Sequence, residues 1–331
     1  MPAPAPLAVR IRSERIESTH YGHLIVTDPA GRVLLSRGAP EEACYVRSTL
    51  KPVQVLPLFL TGTAAALALP EEAIAVAVAS HSGQDAHLAA VQLLLDRAGL
   101  PAEALQCGTH APYHLPTAEA LQAAGQAPGP LHCNCSGKHA AMLATCRHMG
   151  WDTETYRHPE HPLQRMIRAE LAFLSGVPEH DLAHGIDGCG VPVWHLPLVG
   201  LARAFARLTS PEGLPPAHRQ AAERITAAMT AHPLLVAGEG RLDTDLLAAG
   251  EGRLIAKIGG EGVHAGGLPG HRLGWAIKVA DGNRRAIAPA LARALESLGH
   301  PLPETPALQR HVAPEVFNNR QERVGRLQAA W

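Results

Sequence analysis

The sequence predicts an α/β fold of the α+β kind, with a mixed, largely antiparallel sheet flanked by helices and joined to a helical lobe. Three observations carry this reading. Short apolar alternations occupy both ends of the chain, at residues 7–37 and again from 253 onward. Helical periodicity dominates the middle, from about 85 to 250. Strands at both ends with helices between them bring the termini into one sheet, because each element must bury its apolar face against another. The 331 residues are read as one domain, 1–331, whose sheet comes from 7–37 and 253–298.

Taken in order, "LAVRIRS", "GHLIVTD" and "RVLLSRG" have the period-2 pattern of strands, and Asp-Pro-Ala-Gly at 28–31 marks a turn between the last two. The apolar run from Thr49 to about Leu67 reads as a buried helix with two early prolines, the second of which would kink it. "AIAVAVAS", 73–80, reads as an inner strand, which leaves Ser80 in a loop before a helix starting at Asp85. Further helices are expected near 117–126, 138–149, 161–175, 195–208, 216–230 and 243–249, with cysteine-bearing loops at 133–137 and 185–192. Two strand-like runs around a glycine-rich turn, "RLIAKIGGEGVHAGGL" and "LGWAIKVAD", precede a last helix at about 284–298, and "RVGRLQAAW" suggests an edge strand.

Composition narrows the function. Charges nearly cancel, 29 Lys plus Arg against 30 Asp plus Glu, so there is no electrostatic case for a nucleic-acid partner. No uncharged apolar run of transmembrane length occurs, and the first residues lack the apolar core of a signal peptide, which predicts a cytoplasmic protein. Six cysteines are too few for a disulfide scaffold at this length and remain available for metal or chemistry.

The stretch "RSTLKPVQ" places Ser48 three residues before Lys51. Such a pair is common at helix starts, where serine caps free N–H groups and one helical period brings the lysine round. Here it heads an apolar run, so the amine would be desolvated, and burial lowers a lysine pKa. Base chemistry needs that shift, since at its reference pKa a lysine is neutral about once in 2,500 molecules at pH 7. A second cation nearby would help by repulsion. "KIGGEG" offers Lys257 for that place, and "ASHSGQ" offers Ser80 as an intermediate serine. These partly answer the S-x-x-K, S-D-N, K-T-G set of penicillin-recognising enzymes, although the S-D-N form is missing. In "HCNCSGKHAAML" and "GIDGCGVPVW" the cysteines have ligand chemistry but not the C-x-x-C spacing of structural zinc sites, which by spacing alone favours buried thiols. Asp187, in an apolar loop, needs a partner: a turn N–H or a substrate amine.

Seven ordered segments, "VRSTLKP", "ASHSGQ", "HCNCSGKHAAML", "GIDGCGVPV", "MTAHPLLVAGEGRLDTDL", "AKIGGEGV" and "GWAIKVADGNRRA", resemble the rhizobial-type L-asparaginase II family over roughly residues 7–298. The resemblance implies a serine β-lactamase-like fold and hydrolysis of L-asparagine to L-aspartate and ammonia in a homodimer. It implies two serine–lysine pairs, Ser48 with Lys51 and Ser80 with Lys257. It also implies a zinc ion (Zn2+) on Cys135, Lys138 and Cys189, a ligand set that spacing did not suggest. His139 and Asp187 fall where the family binds substrate. Gly260 departs from the alanine expected before Glu261. The G-G-T-I and H-G-T-D type motifs of threonine-dependent asparaginases are missing from the sequence. Rival readings are a penicillin-recognising serine hydrolase or peptidase, and a non-enzymatic zinc- or ligand-binding protein on the same scaffold.

Overall fold

The computed structural model describes residues 3–39 and 41–331. Along the chain its strands are β1 (Ala5–Arg12), β2 (Arg15–Thr27), β3 (Val33–Arg37), β4 (Ala43–Tyr45), β5 (Ala183–Ile186), β6 (Pro192–Pro197), β7 (Ile255–Ile258), β8 (Val263–Leu268), β9 (Leu273–Val279), β10 (Glu315–Phe317) and β11 (Arg323–Ala329). The chain forms two compact units. One comprises 1–49, 196–210 and 245–331, and the other 50–195 and 211–244.

The first unit holds an eight-stranded sheet of order β10-β11-β1-β2-β9-β8-β7, with β3 also on β2. Its ladders are antiparallel. The long β2 serves two sets of neighbours: residues 15–22 pair with β1, and 22–27 pair with β9, with β3 joining at 24–27. Both chain ends therefore lie in one sheet, as expected. Within 323–331, Arg323–Ala329 is a strand, but an inner one, because β11 pairs with both β1 and β10. Every residue of β7 and β8 is buried. Side chains alternate between faces, so an unbroken buried run means that both faces are covered. The helix Leu198–Thr209, read from the sequence as part of the helical lobe, belongs to this unit and packs on β9, β8 and β2. Gly274 permits that close approach, since a Cβ there would lie 2.3 Å from the Ala206 nitrogen.

The second unit is helical, with Asp85–Ala98, Ser136–Met149, Pro162–Ser175 and Pro216–Ala231 among its longer members. Two expectations fail here. The segment 73–80 is not a strand; Glu71–Ala77 is an α-helix, begun after Pro70 with two acids in its first turn. Residues 73–77 are buried throughout, and a helix apolar on all sides has the same short apolar signature as an inner strand. The apolar run 49–67 is likewise not one helix. It breaks into a 3-10 turn Arg47–Leu50 and short helices Lys51–Gln54, Leu56–Leu60 and Thr63–Ala66. Pro57 has no N–H to bond the Val53 carbonyl, and Gly62 turns left-handed (φ 79°). No described helix is long and apolar enough to cross a membrane.

Candidate active site

In the sheet unit, Ser48 is half-buried in the 3-10 turn that runs directly into the helix headed by Lys51. The residue before it, Arg47, holds φ 52°, a left-handed conformation that costs a non-glycine residue energy and must be held by its surroundings. What holds it includes the end of β7. A Cβ on Gly259 would meet the Val46 carbonyl at 3.1 Å and Thr49 Cγ2 at 3.2 Å, and one on Gly260 would lie 3.1 Å from Arg47 Nη1. The glycine at 260, where an alanine was expected, therefore leaves room for the arginine. Lys257 stands two residues earlier on β7. It is fully buried, and its Nζ donates to the Ile258 carbonyl at 2.9 Å.

In the helical unit, Lys51 is fully buried, although it opens its helix. Its Nζ has three partners: the carbonyl of Ala79, the carbonyl of Asn134 at 3.2 Å, and Ser80 Oγ at 3.2 Å. Ser80 is itself buried just past the end of the Glu71–Ala77 helix, with its N–H on the Val236 carbonyl. Two of the three partners can only accept. The third is a hydroxyl, which can also donate. The Lys51 amine thus donates to both carbonyls and to the Ser80 hydroxyl.

The loop 79–84 is fixed by its own ring contacts. His81 accepts the Gly83 N–H at Nδ1 and so donates from Nε2 to Ser136 Oγ (2.8 Å), whose hydroxyl in turn donates to the Leu131 carbonyl (3.0 Å). His81 stacks on His87 with centroids 5.0 Å apart, and burial pushes both imidazoles below their ordinary pKa. Asn134 is oriented by His110, whose Nε2 accepts the Asn134 N–H at 2.9 Å.

Cys135, Lys138 and Cys189 converge. Cys135 immediately precedes the helix Ser136–Met149, Lys138 lies in its first turn, and Cys189 sits in the turn between β5 and β6. All three are buried, and Lys138 Nζ lies 3.1 Å from Cys189 Sγ. Hydrogen bonds from Cys133 and then Cys189 hold the Cys135 thiol well below its ordinary pKa, while the shared bond pushes Cys189 up. For Lys138, burial works against the charged form, but the Cys189 and Cys135 sulfurs outweigh it. A tetrahedral zinc with bonds of about 2.0–2.3 Å keeps its donors roughly 3.5 Å apart. The Lys138 amine and Cys189 sulfur, 3.1 Å apart, with Cys135 hydrogen-bonded to Cys189, are donors of a chemistry that fits such an ion. Among the described residues no three His, Cys, Asp or Glu side chains gather in a metal-holding group.

His139, next to Lys138, is buried, with Nδ1 2.6 Å from the Tyr156 hydroxyl. Asp187 is partly exposed in the same turn as Cys189. One of its oxygens accepts the Gly188 N–H (2.9 Å), so it closes its own turn as the sequence allowed. Sequence reasoning missed Asn134, His81, Ser136 and Tyr156. The first three lie inside segments it singled out, whereas Tyr156 had no local signal at all.

Solved structures of low identity resemble this chain. A native form of the protein Mglu is 17% identical over 86% of this chain (TM-score 0.38), and this chain spans about three fifths, 62%, of the Mglu length. A β-lactamase from Mycobacterium bovis is 13% identical over 84% of this chain and 95% of that one (TM-score 0.41). No curated protein matches. The pattern of the family described as L-asparaginase II matches residues 8–329, nearly from end to end, and the chain therefore belongs to that family.

Proposed function

We propose that this member of the family hydrolyses L-asparagine to L-aspartate and ammonia, using a serine nucleophile and a neutral lysine. The observation that carries the reading is the Lys51 amine, buried on two carbonyls with its third position toward Ser80 Oγ. Ser48, one helical turn before Lys51 and less buried than Ser80, is the better candidate to meet a substrate. In the forward step Ser48 Oγ bonds to the side-chain amide carbon as its proton passes to a neutral lysine, a part the resemblance assigns to Lys51. The tetrahedral intermediate collapses as the amide nitrogen takes a proton and leaves as ammonia, giving an aspartyl ester. Water then attacks the ester, a lysine takes its proton, and Ser48 regains one as aspartate departs. Ser80 shuttles protons from its place on Lys51, and the resemblance assigns Lys257 as the second amine.

Asp187 would receive the α-amine of the substrate and His139 a substrate oxygen. Cys135, Lys138 and Cys189 would hold the zinc ion, which when bound supplies fixed positive charge that orients a carboxylate-bearing substrate. Ammonia release from L-asparagine, L-glutamine and a β-lactam, run in parallel on the wild type, Ser48→Ala and Ser80→Ala, tests the reading. The expected result is release from asparagine by the wild type, falling on the order of 10³-fold or more in each variant. Full activity in both variants rejects the catalytic assignment, and β-lactam hydrolysis alone moves the chain to the penicillin-recognising reading.

A further inference from the structure

Tyr156 is the one fully buried residue among the 4 tyrosines of the chain; the other three are about half exposed. Its hydroxyl accepts the Gln106 N–H at 3.1 Å and lies 2.6 Å from His139 Nδ1. The rings meet edge to face, 83° apart with centroids separated by 5.6 Å. The segment is tied down from both sides. Arg157 Nε donates to Gln106 Oε1 (2.7 Å), Gln106 Nε2 donates to the Glu154 carbonyl (3.0 Å), and the buried Gln164 donates to the Tyr156 carbonyl (2.9 Å).

A phenol has a single proton, and burial pushes the Tyr156 pKa upward, so the proton stays on oxygen. One of the hydroxyl's two protein partners is an N–H, which cannot accept. If Nδ1 also carried a proton, the phenol proton would have no acceptor in a dry interior, where unpaired donors are rare. Satisfying the phenol therefore requires Nδ1 to accept and Nε2 to carry the imidazole proton. His139 Nε2 is buried and has no hydrogen-bond partner among the described residues.

We infer that Tyr156 is a positioning residue. It locks His139 in the Nε2–H form and aims that donor at an oxygen of the bound amino-acid substrate. The inference rests on the asparaginase reading for the identity of the ligand, and on the protein alone for the tautomer. The same lock selects against ligands that present a donor at this point, because an N–H facing Nε2–H would leave both unpaired.

Two measurements test it on the full-length protein loaded with zinc. In 15N-resolved NMR of the histidine rings, the His139 proton is expected on Nε2, and its resonance should move when L-aspartate is added. Tyr156→Phe keeps the ring and removes the donor. It should raise KM for L-asparagine about tenfold and change kcat less than about threefold, with unaltered zinc content and melting temperature. A wild-type spectrum with the proton on Nδ1, or an unchanged KM in a folded Tyr156→Phe protein, overturns the inference. If that variant does not fold, the wild-type spectrum decides. A wild type that releases no ammonia from any amide defeats the asparaginase reading and leaves the tautomer to the spectrum.

Discussion

Lys51 shows how much a single side chain can specify. A buried amine with two carbonyls and one hydroxyl around it has a different use from an exposed lysine, whose charge water would solvate. Arginine separates the two roles, since it keeps the charge but cannot act as a base. Lys51→Arg and Lys51→Met should therefore be equally inactive, each on the order of 10³-fold or more below wild type in kcat. Recovery in the arginine variant alone would make the residue an electrostatic anchor. For the metal, Cys135→Ala and Cys189→Ala should each bind substantially less zinc by elemental analysis of protein purified in zinc-containing buffer. Undiminished zinc would put the ion elsewhere. At this scale a motif singled out Ser48 and Lys51 in the sequence, whereas Cys135 and Lys138 as a pair of ligands came from the family resemblance alone. The sequence was silent on Tyr156, because hydrogen-bond partners 17 positions apart leave no periodic trace.

At the scale of elements, contact between helices is set by a glycine. In the helical unit, a Cβ on Gly137 would stand 2.1 Å from the Val76 carbonyl oxygen, a backbone atom that can yield only if its helix moves. That helix ends at Ala77, just before Ser80. Gly137→Ala should therefore destabilise the protein by about 1–3 kcal/mol in urea unfolding and also lower kcat, as the Ser80 loop shifts with the helix. Unchanged stability would mean that the contact relaxes at no cost. The same element explains a misreading: 73–77 faces no solvent, so the polar positions that give helical periodicity are missing. The strands at both ends were legible because β1 and β2 keep alternating or mixed burial, and the 49–67 break followed from prolines the sequence displayed.

For the whole molecule, pH is the revealing variable. Burial holds His81 and His87 below the ordinary imidazole value near 6.5. Above that value both folded and unfolded chains carry them neutral. Below it the unfolded chain takes up protons that the folded one refuses, so stability falls with pH until the folded values are reached. Each such histidine contributes up to about 1.4 kcal/mol per pH unit within that window. Thermal melting should drop from pH 7 to pH 5, with a shallower slope in His87→Gln; equal slopes would remove buried histidine as the cause. The overall topology was legible in the sequence because both ends carry strand patterns. The assignment of the helix Leu198–Thr209 to the sheet unit was not, since an amphipathic helix declares an apolar face but not what covers it.

The most direct test of the account is the pH dependence of kcat for ammonia release from L-asparagine, measured for the wild type and Lys51→Arg over the range in which the wild type stays folded. Lys51 acting as a base predicts that the wild type turns over and that the arginine enzyme is inactive throughout. A Lys51→Arg protein within tenfold of wild type, with the same pH profile, would contradict it.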